Sequence, residues 1–87
     1  MKIIVEKNIP YIKGLLESFG EVLYLPAGAI DKEAVRDADA LFVRTRTICS
    51  ESLLKGSKVK FIATATIGTD HIDLDYCRCS GIAVFNA

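Results

Sequence analysis

Four consecutive apolar residues, Ala40-Leu41-Phe42-Val43, stand mid-chain with no polar position between them. A strand with one wet face alternates apolar and polar residues. An unbroken run fits a strand buried on both faces, as in a parallel sheet covered by helices. Similar short runs recur: Lys2-Ile3-Ile4-Val5, Glu21 to Leu25, Val59 to Ala65 and Ile82-Ala83-Val84-Phe85 read as further strands. Parallel neighbours need a crossover, usually a helix, and the intervening segments have helical features. Asn8 is placed to cap a helix starting at Ile9-Pro10. Tyr11, Ile12, Leu15, Leu16 and Phe19 follow at helical spacing, and Gly20 supplies the stop. Asp31 can cap a short helix with Ala34, Val35 and Ala38 on its inner face. Ser50 is a candidate cap before Leu53-Leu54, with Gly56 ending that turn. Asp70 or Asp73 can cap a helix through Leu74, Tyr76 and Cys77 that stops at Gly81.

Strands alternating with helices predict an α/β fold: a flavodoxin-like parallel sheet of order 2-1-3-4-5 with helices on both faces. Ligands of such sheets bind outside the carboxyl ends of the strands, near the switch point between strands 1 and 3. This singles out the loops 6–10, 44–47 and 66–70. No helix follows the last strand before Ala87, so the sheet is expected to be incomplete, with residues 1–87 the first part of a larger domain.

Composition narrows the partners. A hydrophobic content of 51% is high for 87 residues and predicts apolar surface meant to be covered. Eleven basic and eleven acidic residues give zero formal net charge with no basic stripe, which disfavours nucleic-acid and membrane-surface partners. The Ile3-Ile4-Val5 run is too short for a signal-peptide core, and no stretch approaches the roughly 20 apolar residues of a membrane span. A cytoplasmic location is the resulting expectation. Cys49, Cys77 and Cys79 are odd in number, and one residue separates the last pair instead of the usual zinc-ligand spacing. No metal site is expected, only reduced and mostly buried thiols.

Two stretches could carry chemistry. Arg44-Thr45-Arg46-Thr47 leaves the third strand with two guanidinium groups and two hydroxyls, suitable partners for a carboxylate or phosphate. It can equally be a solvated turn whose arginines pair with Asp37 or Asp39. Thr64 to Asp73 holds Gly68, which permits a positive φ and close ligand approach. Successive N–H groups from Thr66 to Gly68 could form an anion-binding concavity. An ordinary strand-to-helix turn, with its threonines bonded locally, fits as well. His71 has no nucleophile placed beside it by motif, and its place at a helix start favours a structural hydrogen bond, or support of residues that themselves touch a ligand, over direct acid–base work. Neither a Gly-x-Gly-x-x-Gly segment nor a P-loop occurs.

Several segments together resemble the start of the D-2-hydroxyacid dehydrogenase superfamily. They are Asn8-Ile9-Pro10-Tyr11, Asp37-Ala38-Asp39-Ala40-Leu41 leading to Val43-Arg44-Thr45, Glu51-Ser52-Leu53-Leu54, Lys60-Phe61-Ile62, Ala65 through Asp73, and Gly81-Ile82. The glycine turn is shared across the superfamily. The Gly68-Thr69-Asp70-His71 string and the Val43-Arg44-Thr45 stretch resemble a branch acting on a phosphorylated four-carbon hydroxyacid. The resemblance implies that residues 1–87 belong to a substrate-binding domain, the NAD-binding Rossmann domain lying outside this chain. It implies that Thr45 and Thr66 contact a small phosphorylated hydroxyacid, with backbone N–H groups of Ile67 and Gly68 less firmly assigned.

The catalytic arginine, glutamate and histidine are implied to lie elsewhere, and His71 is not that histidine. The implied reaction is hydride transfer from C2 of 4-phosphoerythronate to NAD, on the route to pyridoxal phosphate, in a homodimer. The chain alone is expected to be inactive. Two other readings stay open: another member of the superfamily with a different hydroxyacid, and a non-catalytic flavodoxin-like binding module.

Overall fold

A computed structural model describes residues 1–9 and 14–86. It contains the strands β1 (Lys2–Glu6), β2 (Glu21–Leu25), β3 (Ala40–Val43), β4 (Phe61–Thr64) and β5 (Ala83–Asn86). Three short α-helices connect the later strands: α1 (Lys32–Val35), α2 (Glu51–Leu54) and α3 (Leu74–Cys79). The strands form one parallel sheet in the order β2-β1-β3-β4-β5. The flavodoxin-like arrangement predicted from the apolar runs is therefore the observed one.

Direction of travel sorts the two faces. The chain steps one way from β1 to β2, then the other way through β3, β4 and β5. Right-handed crossovers place connections of opposite direction on opposite faces. Accordingly, Val35 of α1, Leu53 and Leu54 of α2 and Cys77 of α3 share one cluster with Ile4, Leu41, Val43 and Ile62. On the other face Ile3, Val5 and Ala40 pack with Ile9, Leu16, Tyr24, Phe42 and Phe61. The central strand is buried on both faces, with Ala40, Leu41 and Val43 at 0% exposure. Phe42, Phe61 and Phe85 stand edge to face across neighbouring strands, with centroids 6.1 and 6.2 Å apart. This row runs toward β5, where Phe85 is exposed.

The boundaries differ from the sequence reading in a few places. The fourth strand is shorter than Val59 to Ala65 because Val59 is buried without pairing in the ladder. The fifth starts and ends one residue later than Ile82 to Phe85. The helix proposed from Ile9-Pro10 to Phe19 is not formed in its second half: residues 10–13 lie outside the described residues, but Gly14 takes a φ of 91° and only a 3-10 turn, Glu17–Phe19, precedes Gly20. Gly20 follows at φ 150°, and a Cβ there would strike the Met1 carbonyl. Asp31 and Asp73 cap α1 and α3, accepting from Ala34 N and Tyr76 N. Ser50 occupies the cap position of α2 without a capping bond, its hydroxyl instead meeting that of Ser52.

Candidate functional site

Register brings the chemistry to one edge. Val5 pairs with Phe42 and Val43 with Thr64, so β1, β3 and β4 end at one level with their following loops side by side. Glu6 closes β1 and is only 1% exposed. Its Oε1 accepts from the Arg44 N–H and the Thr47 hydroxyl, both at 2.9 Å. A buried carboxylate needs such donors to offset lost hydration. By taking both, Glu6 pins the loop after β3 from either end, leaving Arg44, Thr45 and Arg46 exposed between. Glu6, Asn8, Arg44, Thr45 and Arg46 line a cleft at the switch point. Arg44 does not pair with Asp37 or Asp39: its Nη1 donates to the Asn8 carbonyl at 3.1 Å, bridging the cleft walls. Asp39 is held instead at the opposite end of the sheet, accepting from Lys2 N. The Thr45 hydroxyl and the Arg46 guanidinium have no partner among the described residues.

The loop after β4 is organised by side chains. The Thr66 hydroxyl donates to the Gly68 carbonyl at 2.8 Å and lies 2.7 Å from the Thr64 hydroxyl. Thr64 Oγ1 in turn lies 2.9 Å from His71 Nε2. Thr64 and His71 are both buried, so the structural hydrogen bond expected of His71 is present. Asn86, at the end of β5, donates to the Ile67 carbonyl at 2.6 Å. Gly68 does not take the positive φ expected of it, unlike Gly14, Gly20, Gly56 and Gly81. The Thr66-to-Gly68 bond closes the turn by a side-chain route, so a left-handed residue is not required. The backbone N–H groups of Thr66, Ile67 and Gly68 donate to nothing among the described residues, and Gly68 has open space where a Cβ would stand.

The two loops are tied together. Cys49 N donates to the His71 carbonyl and Asp73 N to the Cys49 carbonyl, each at 2.8 Å, a short parallel bridge centred on Cys49 and Ile72. Cys49 is wholly buried there. Burial, with Cys77 and Glu6 nearby, pushes its thiol up to about 12. Burial likewise raises the Cys77 thiol, with Asp73 adding to the effect. Cys79 is exposed.

Thr45 thus lines the switch-point cleft, while Thr66 stands over the adjacent strand in the neighbouring loop. Hydroxyls, guanidinium groups and unpaired N–H groups at one sheet edge can hold an oxyanion. A second depression, between α1 and α2, is lined by Lys32, Glu33, Arg36, Lys55 and Gly56. Arg36 and Lys55 are paired with Glu33 and Glu51 in exposed ion pairs, so it is a solvated charged crevice. Sequence reasoning placed Thr47 and Thr64 within its two candidate stretches without finding their buried partners, and it gave no role to Glu6 or Asn86. A lone acid ending an apolar strand was the one available signal for Glu6. Among the described residues no three His, Cys, Asp or Glu side chains converge on a metal position, and no helix is long and apolar enough to cross a membrane.

The fold and its cleft define a class: a parallel α/β segment whose cleft, lined by Asn8, Arg44, Thr45 and Arg46, lies at the switch point. The chain belongs to the D-isomer specific 2-hydroxyacid dehydrogenase family, whose catalytic-domain model matches residues 3–87. It is 59% identical to an erythronate-4-phosphate dehydrogenase of Bacteroides fragilis, over 100% of this chain and 25% of that protein. An erythronate-4-phosphate dehydrogenase of Azotobacter vinelandii is 48% identical, over 95% of this chain and 22% of that one. The D-lactate dehydrogenase of Aquifex aeolicus, solved with NAD and lactic acid, shares the fold with a TM-score of 0.79 at 24% identity. That alignment covers 100% of this chain and 28% of the other. The chain spans about a quarter of the length of the curated relatives it matches. Among the described residues no glycine-rich strand-to-helix turn is placed to cradle a dinucleotide: the turn after β4 holds a single glycine, Gly68, and the turn after β1 none up to Ile9.

Proposed function

We propose that this chain positions the substrate in an NAD-dependent oxidoreductase that oxidises 4-phosphoerythronate at C2 to 2-oxo-3-hydroxy-4-phosphobutanoate, a step toward pyridoxal phosphate. The single observation that carries the reading is the pair of threonine-bearing loops, Thr45 after β3 and Thr66 after β4. They stand on adjacent strands at the switch-point edge and are joined by the Cys49–Ile72 bridge. The erythronate-4-phosphate dehydrogenases similar to this chain support the choice of substrate. NAD belongs to a separate Rossmann domain outside residues 1–87, as do the catalytic groups, so the chain alone is inactive. The reading carries with it a cytoplasmic homodimer.

In this mechanism the chain binds and orients. The Thr45 and Thr66 hydroxyls donate to oxygens of the substrate, and the free N–H groups of Ile67 and Gly68 add further donors. Fixing the substrate this way sets the C2–H bond against the hydride acceptor; misplacement by about 1 Å costs about 100-fold in rate. A hydrogen bond to a charged group is worth about 1.5–3 kcal/mol, roughly tenfold or more in affinity. Thr66→Ala in the whole enzyme is therefore expected to raise KM for 4-phosphoerythronate about tenfold, and Thr45→Ala comparably. Steady-state kinetics check this, and KM values unchanged in both variants would remove the site.

A further inference from the structure

The hydrogen bonds of the loop after β4 have a direction that can be deduced. A carbonyl only accepts, so the Thr66 hydroxyl spends its single proton on Gly68 O. The contact between the Thr64 and Thr66 hydroxyls must then be donated by Thr64. With that proton spent, the contact between Thr64 and His71 must be donated by the ring, so Nε2 carries hydrogen. The reverse direction would set two lone pairs against each other at the 2.8 Å contact of Thr66 with Gly68 O. The series therefore runs from His71 Nε2–H to Thr64, from Thr64 to Thr66, and from Thr66 outward to the loop.

We infer that His71 and Thr64 are positioning residues that hold the Thr66 hydroxyl as an outward donor to the substrate anion. The inference rests on the reading of Thr66 as a substrate contact. The inner two members of the series are buried, at 7% exposure for His71 and 4% for Thr64, whereas Thr66 reaches solvent. Because Thr64 donates to it, Thr66 cannot turn its proton inward, and the incoming bond strengthens it as a donor. An arriving oxyanion takes over the place of the Gly68 carbonyl as acceptor. No rearrangement of the buried part is needed. Without the Thr64 hydroxyl, Thr66 keeps its oxygen but loses the bond that orders and polarises it.

The test compares Thr64→Val, Thr64→Ser and Thr66→Ala in the whole enzyme. Thr64→Val preserves shape and removes the relay, and is expected to raise KM for 4-phosphoerythronate about fivefold with kcat changed less than about twofold. Thr64→Ser restores the hydroxyl and is expected to return KM to the wild-type value. Urea midpoints are measured alongside, because a merely structural role would shift the midpoint and leave KM in place. A wild-type KM in Thr64→Val, with Thr66→Ala impaired, overturns the relay and leaves the site standing. A wild-type KM in Thr66→Ala overturns the reading of Thr66 as a substrate contact. Nitrogen-15 NMR of His71 supplies a readout independent of activity. Hydrogen on Nε2 is expected, and a ring without hydrogen on Nε2 overturns the deduced direction.

Discussion

Glu6 shows how one buried side chain can order the loop of the cleft it helps to line. Its single oxygen Oε1 gathers the Arg44 N–H and the Thr47 hydroxyl. Removing the acceptor strands a backbone donor and a hydroxyl in an interior where each costs about 1–3 kcal/mol. Glu6→Ala is therefore expected to lower stability by about 2–4 kcal/mol, cavity included. Glu6→Gln, which keeps an acceptor oxygen, should lose about 1 kcal/mol or less. Urea unfolding of the three proteins distinguishes them; equal losses for Ala and Gln would mean that charge, and not the acceptor, holds the loop.

Between elements, the short bridge from Cys49 to Ile72 does what no single helix does here, since α2 and α3 have four and six residues. It fixes the loop after β3 to the loop after β4 and buries Cys49 at their junction. Thiol chemistry reports on this packing, because the thiolate is the reactive form. Cys49, pushed up to about 12, and Cys77, raised by burial, should stay silent toward a disulfide reagent at about pH 8 in the folded protein. Cys79, exposed at the end of α3, should react first. The expected titration gives one fast thiol, and all three after denaturation. A fast Cys49 would show that the bridge opens.

At the scale of the molecule, the amino ends of the strands are stitched as firmly as the carboxyl ends. Lys2 N donates to Asp39 Oδ2 at 2.7 Å and Asp39 N to the Lys2 carbonyl at 2.7 Å, joining the start of β1 to the start of β3. The Lys2 N–H bond holds the Asp39 carboxyl below its usual value against partial desolvation, helped by Lys58, the amino terminus and Lys60. A carboxyl depressed in the folded state stabilises above its unfolded value, near 4, and that contribution disappears as pH falls through the lower folded value. Asp39→Asn is thus expected to be less stable than wild type at neutral pH. The two urea midpoints should converge once the pH has fallen below the lowered folded value. A gap that persists in acid would assign the effect to geometry instead of charge.

The sequence by itself determined the architecture, because its unbroken apolar runs and the caps Asp31 and Asp73 are local signals. Crossover handedness then turned those runs into the order 2-1-3-4-5, and the same topology singled out the loops that hold Thr45 and Thr66, after β3 and β4. Tertiary structure alone decided the rest. Glu6 meets Thr47 across 41 positions, and Asn86 meets Ile67 across 19. Such bonds depend on which groups meet after the chain has crossed over. Propensity and periodicity describe only near neighbours along the chain, so they cannot contain them.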